Sequence, residues 1–106
     1  MTKYTPDKFV VLEIKNGEEK YYKVLGGWFG GYLGADSWRL NSGITRAEYV
    51  DGSWYFYGSS GSVYKCHVDS YGFTSLMLGV YSGMGEGVRV LDDQEWAAVN
   101  WDWNLK

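Results

Sequence analysis

"KFVVLEIKNGEEKYYKVL", residues 8–25, places two β-type runs on either side of a turn signal. Asn16-Gly17 is the dipeptide of a type I′ hairpin, in which both central residues take positive φ. On the first arm Phe9, Val11 and Glu13 alternate with Val10, Leu12 and Ile14. Successive strand residues point to opposite faces. The second set is wholly apolar, so the alternation sends Val10, Leu12 and Ile14 to the core. A lone hairpin is marginal in water and needs more strands beside it.

The rest of the chain supplies them. "SWRLN" (37–41), "ITRAEYV" (44–50), "SWYFYG" (53–58), "VYKCHV" (63–68) and "VRVL" (88–91) all read as short strands. Asp51-Gly52 is a second hairpin dipeptide, and "SSGS" (59–62) is a turn. Short strands at close spacing predict an antiparallel meander, as a curled sheet or a small barrel of about six or seven strands. On "SWRLN" the alternation makes Trp38 a core residue and turns Arg39 to the opposite face.

Two segments depart from the β pattern. Asp92 precedes Glu95 by three residues, a capping-box spacing, with Leu91 and Trp96 placed as a hydrophobic staple. Trp96, Val99 and Trp103 then recur at helical spacing, which predicts a short C-terminal helix. Thr74–Tyr81, within "YGFTSLMLGVYSGMGEG" (71–87), fits a helix or a strand, with Gly79 in its middle. The expected fold is therefore mainly β with a minor α part, in one domain over 1–106.

Composition agrees. The chain has 106 residues with six Trp, ten Tyr and four Phe, and 15 Gly against one Pro. Aromatic residues favour strands, and glycine serves tight turns. A net charge of −3 argues against duplex nucleic acid as partner, because phosphate-tracking proteins carry a basic surplus. The charge is uneven: residues 1–25 hold five Lys against four acids, and residues 70–106 hold two basic residues against five acidic ones. A single cysteine, Cys66, excludes an intrachain disulfide and fits a reducing, cytoplasmic setting. The N-terminal stretch has no long apolar region of the signal-peptide kind, and no apolar run is long enough to span a bilayer.

Enzyme signatures fail one by one. "GSSGSVYK" lacks the phosphate-loop spacing, and "GMGEGV" (83–88) puts Val88 where a dinucleotide fingerprint needs its third glycine. One Cys and one His make no zinc site without carboxylates. Cys66 and His67 are adjacent on a strand and point to opposite faces, so they do not form a nucleophile–base pair. Asp92-Asp93 sits where a helix begins, and capping accounts for it. The expectation is a non-enzymatic binding protein with no cofactor and no metal.

What remains is a set of aromatic, hydroxyl and cationic residues. "GGWFGGYLGADSW" (26–38) reads as a long ordered loop carrying Trp28, Phe29 and Tyr32, and such loops tend to be functional or mobile. Arg39, Asn41 and Ser42 follow it, Tyr57, Ser59, Ser60 and Ser62 flank a turn, and Lys65 and His67 lie on the next strand. Ser/Gly turns expose groups that hold anions, aromatic faces stack on bases or sugars, and Arg39 and Lys65 supply positive charge. Trp28, Tyr32, Arg39, Asn41, Ser42, Tyr57, Ser59, Ser60, Ser62, Lys65 and His67 are thus the candidate site for a small polar, nucleotide-like ligand. Many of the aromatics must also fill a thin core. Ten tyrosines exceed what a core accommodates, since each buried hydroxyl needs a partner. Some are therefore at the surface, where a protein partner, met through aromatics or the acidic C-terminal helix, or a homodimer, is the alternative use.

Taken together, "YYKVLGGWFGGYLGADSWRLNSGIT" (21–45), "YGSSGSVYKCH" (57–67) and "YG" (71–72) resemble in style the small accessory proteins of bacteriophages, over residues 20–72. The resemblance implies a short protein of the host-takeover or anti-defence type, acting by binding in the bacterial cytoplasm. Such a protein disables a host component or withdraws a host nucleotide signal. It carries over no functional residues.

Overall fold

A computed structural model describes residues 2–99, with the Tyr32 side chain outside the described set. The chain is mainly β. β2 (Lys8–Asn16) and β3 (Glu19–Trp28) form the long hairpin, β4 (Ser37–Leu40) pairs with the far end of β3, and β8 (Val88–Val90) pairs with β2. This hairpin sheet has the order β4-β3-β2-β8. β5 (Ile44–Val50), β6 (Ser53–Gly58) and β7 (Val63–His67) form an antiparallel meander, and β1 (Lys3–Tyr4) adds to β7 in parallel. The meander sheet has the order β1-β7-β6-β5. Strands thus number eight among the described residues and divide between two open sheets. The extra strand is β1, whose two residues are too short to leave a pattern in sequence.

The long hairpin turns one residue later than its dipeptide suggests. Asn16 pairs with Glu19, so Gly17 and Glu18 are the central residues. Gly17 has φ 66, whereas Glu18 is absent from the positive-φ residues. Glycine at the first central position alone is the requirement of a type II′ turn. The pairing shifts by two residues, which keeps every side chain on its expected face. Asp51 and Gly52, with φ 50 and 81, make the expected type I′ turn between β5 and β6.

The burial of β2 corrects the one-faced expectation. Phe9, Val11 and Glu13 are buried along with Val10 and Leu12, whereas Ile14 is only half-buried. The hairpin sheet is covered on both sides. On one side Phe9, Val11 and Val24 meet Ile44, Phe56, Tyr64 and Cys66 of the meander sheet, with Leu91 and Trp96 closing one end. On the other, Val10, Leu12 and Leu25 pack on Met77 of α1 (Ser75–Ser82), with Phe73, Val80 and Tyr81 around it. A strand buried on both faces loses its polar alternation, which is why β2 is nearly all apolar.

α1 resolves the ambiguous segment as a helix. The Thr74 hydroxyl accepts from the Met77 N–H at 3.1 Å, and Gly83 ends the helix. α1 sits close to the sheet because Gly27 has no side chain: the Met77 sulfur occupies the space a Cβ there would need, and Pro6 lies 3.1 Å from where a Cβ on Gly26 would stand. These two glycines therefore continue β3, and the expected loop at 26–36 shrinks to Phe29–Asp36, with a short 3-10 turn at Tyr32–Gly34. A glycine inside a strand marks a close approach.

α2 (Asp93–Ala97) has the expected capping box. Asp92 Oδ1 accepts from the Glu95 N–H at 2.7 Å, and Glu95 Oε1 accepts from the Asp92 N–H at 3.0 Å. The helix delivers Trp96, 2% exposed, onto Phe9, Trp54, Phe56 and Tyr71. Trp103, read as its next turn, lies outside the described residues.

Candidate functional site

A groove lies between the tip half of β3 and the link from β4 to β5. The groove has a volume of about 680 Å³ and is walled by Glu19–Tyr22 on one side and by Ser42, Gly43, Ile44, Thr45 and Ser59 on the other. A second recess of about 490 Å³ adjoins it through Tyr21 and Ser42, and brings in Ile14, Lys15, Asn16 and Lys23. Both volumes fall in the range of small-molecule sites.

The walls are set by local structure. Asn41, 3% exposed, ends β4 with its Oδ1 accepting from the Val24 N–H at 2.9 Å and its own N–H donating to the Val24 carbonyl at 2.9 Å. That clamp fixes where Ser42 leaves the sheet. The Ser42 hydroxyl then accepts from the Ser60 N–H at 2.9 Å and lies 3.1 Å from the Ser60 hydroxyl, which lies 3.3 Å from that of Ser62. Gly58 lets this cluster close, since a Cβ there would stand 2.9 Å from the Ser42 oxygen. The Ser59 N–H donates to Gly43 and the Gly61 N–H to Gly58. The serine turn is thus occupied by its own hydrogen bonds, and it shapes the groove wall rather than offering an open anion nest.

Charge comes instead from the hairpin. Lys15 and Lys20 face each other across the β2–β3 pair, and Lys23 lies further along β3. Directly opposed like charges destabilise a strand pair. None of the three has a carboxylate within ion-pair distance among the described residues, in contrast to Arg46 and Arg89. Tyr21 is 44% exposed, and its hydroxyl donates to the Glu19 carboxylate, which holds the phenol above its usual pKa. Tyr22 is half-buried, and burial first, then the nearby Glu13, raise its pKa. Both phenols therefore stay neutral near pH 7 and present ring faces and hydroxyl groups.

Of the residues singled out in sequence, Ser42 and Ser59 line this groove, and Asn41, Ser60 and Ser62 support it. Apart from Tyr32, whose side chain is outside the described set, the others lie elsewhere. Tyr57, Lys65 and His67 share the outward face of the meander sheet. There Arg46 covers the Tyr57 ring at 4.1 Å, the Tyr57 hydroxyl donates to Glu48 at 2.5 Å, and Lys3 and Lys65 flank the Tyr55 ring at 5.8 and 5.9 Å. His67 Nδ1 accepts from the Asp69 N–H at 3.2 Å and so caps a short turn. Arg39 lies over the Tyr4 ring at 4.5 Å, and Trp28 packs on the same ring while its indole donates to the Thr5 carbonyl at 3.0 Å. Trp38 is the reverse of its expectation: it is 45% exposed. It pairs with Gly27 on β3, at the sheet's edge, where α1 covers little of it.

Sequence reasoning passed over Lys15, Lys20, Tyr21, Tyr22 and Lys23 because they read as hairpin arms. The usable signal was three lysines and two tyrosines within nine residues on strands whose other half is apolar. Cys66 is buried, which pushes its thiol pKa up, and His67 is exposed on the opposite face, as the alternation required. Among the described residues no cluster of His, Cys, Asp and Glu is placed to hold a metal ion, and no helix is long and apolar enough to cross a membrane. No protein-family model, curated protein or solved structure matches this chain.

Proposed function

We propose that the protein is a non-enzymatic binding protein that holds a small anionic ligand of the nucleotide type in the hairpin groove. One observation carries this reading: Lys20, without a carboxylate partner, lines a groove of nucleotide size beside Tyr21 and Tyr22, and Lys15 and Lys23 line the recess that adjoins it through Tyr21. Lys20 receives phosphate oxygens as a charge-assisted donor, with Lys15 and Lys23 adding positive charge from the adjoining recess. The exposed Tyr21 ring stacks on the base, and the Ser59 hydroxyl meets a sugar or base edge. In the phage-accessory setting that the sequence resembles, such a protein withdraws a nucleotide signal within the host cytoplasm.

Thermal unfolding against a panel of nucleoside mono-, di- and triphosphates and cyclic nucleotides tests this. Ligand at a hundredfold over Kd stabilises the native state by about 2.7 kcal/mol, a Tm rise on the order of 10 °C. The rise should vanish in Lys20→Ala and Tyr21→Ala. A panel without any stabilisation at millimolar ligand contradicts the reading.

A second reading, of a protein–protein adaptor, rests on the β3–β4 connection and the start of β4. Phe29, Leu33 and Trp38 are 55%, 88% and 45% exposed there, and large exposed apolar side chains serve as interface anchors. The acidic helix supports this reading less, because Glu95 is bound to Arg89 at 2.7 Å and Asp92 is spent on the cap.

A further inference from the structure

β5 is an edge strand: in the meander sheet it pairs with β6 on one side and with no described strand on the other. Its hairpin geometry fixes which backbone groups face outward. The two-residue turn makes Val50 and Ser53 a hydrogen-bonded pair, and such pairs alternate along an antiparallel ladder. Val50, Glu48 and Arg46 therefore bond to β6, while the N–H and C=O groups of Ala47 and Tyr49 point away from it. Natural edges are guarded by lysine, proline, inward charge or a bulge, and β5 has a register irregularity between Ile44 and Arg46, ahead of Ala47. Over Arg46–Val50 this edge has no lysine and no proline, and Arg46 and Glu48 point to the solvent face, where they form a 3.7 Å ion pair.

We propose that this edge pairs with the same edge of a second copy, so that two β5 strands join antiparallel about a two-fold axis at Ala47. The outward groups of Ala47 would exchange hydrogen bonds with those of its counterpart. Charge selects this register. With Ala47 opposite Ala47, each Arg46 stands opposite the partner's Glu48, and opposite charges facing each other across strands are favourable. A shift of two residues in one direction sets Glu48 against Glu48, and in the other sets Arg46 against Arg46. The self-complementary order Arg46-Ala47-Glu48 thus fits a second copy of this chain. The pairing also sets the partner's Tyr49 beside Thr45, a wall of the groove, although the dimer does not depend on what the groove binds.

Light scattering on the full chain, its variants and their mixtures tests this. The native protein should show the dimer mass at high micromolar concentration. Arg46→Glu and Glu48→Arg should each give monomer, because each makes two like-charge pairs. Their equimolar mixture should give a heterodimer, and the double swap R46E/E48R should regain the homodimer. A fold merely weakened by the substitutions would not be rescued by mixing. Ala47→Pro should also give monomer, since it removes an outward N–H and leaves the ladder to β6 whole. A native protein that stays monomeric, single variants that stay dimeric, or a mixture that stays monomeric each overturn the proposal. So does slow amide exchange at Tyr49 in a monomeric sample, which would mean that the chain's own residues 100–106 cover the edge.

Discussion

The side chain of Asn41 acts as a strand residue toward Val24, accepting from its N–H at 2.9 Å while the Asn41 backbone N–H meets the Val24 carbonyl at 2.9 Å. Because a backbone N–H is the donor, the Asn41 oxygen must face Val24, and its Nδ2 is left without a partner among the described residues. Asn41→Ala should cost about 1–3 kcal/mol by orphaning a buried N–H. Asn41→Ser should fall in the same range, because its hydroxyl is too short to reach. Urea unfolding measures both, and a neutral Asn41→Ala contradicts the clamp.

Gly27 and Met77 define the contact between β3 and α1. A methyl group at Gly27 collides with the Met77 sulfur and approaches Thr74 Cγ2 at 3.2 Å. Gly27→Ala should destabilise by about 1–3 kcal/mol, as overpacked cores do. The double variant with Met77→Ala should recover part of that loss, because the smaller side chain vacates the space. Without recovery, the collision is not the cause.

Tyr71 ties the two cores together. Its hydroxyl donates to the Leu91 carbonyl and accepts from the Val11 N–H at 3.1 Å, and burial pushes its pKa up to about 12. Tyr64 is likewise pushed up to about 12, again chiefly by burial. A folded pKa above the unfolded value of about 10 means that the fold favours the neutral phenol. That stability is complete below about pH 10 and is lost as pH rises from about 10 through the folded value. Urea midpoints across this window should fall, and fall less steeply in Tyr71→Phe, which starts from a lower stability. A flat alkaline profile in the native protein contradicts the burial of both phenols.

The cap of α2 gives the opposite sign. Glu95 has its pKa lowered first by the Asp92 backbone N–H and then by Arg89. A depressed carboxylate contributes above its unfolded pKa of about 4.3 and loses that contribution as pH falls through the lower folded value. Glu95→Gln should therefore flatten the acid limb of the stability profile. Asp92→Ala should cost about 1 kcal/mol by removing the cap and should loosen Trp96, visible as a shift in its fluorescence. An unchanged acid limb in Glu95→Gln would count against this coupling.

The parts of the fold legible in sequence were those set by local chemistry. Asp51-Gly52 specified its turn because both residues take positive φ, and Asp92 with Glu95 specified a helix start because the two satisfy each other's backbone donors. The strand through Gly26 and Gly27 was hidden, because its reason is the approach of Pro6 and Met77 from elsewhere in the chain. Glu13 looked like a solvent-facing residue, yet it is 7% exposed, with Arg89 at 3.7 Å across the β2–β8 pair. The candidate site divided along the same line. The Ser42–Ser62 turns were visible as turn chemistry, whereas the lysines and tyrosines opposite them were visible only as strand residues until the hairpin register set them beside the groove.

The groove itself is tested most directly by following backbone amide resonances during titration with nucleoside phosphates. The account predicts saturable shifts at Lys20, Tyr21, Ser42, Thr45 and Ser59, all lost in Lys20→Ala. Shifts confined to Tyr55, Tyr57 and Lys65 on the meander face, or no saturable shift at all, would contradict it.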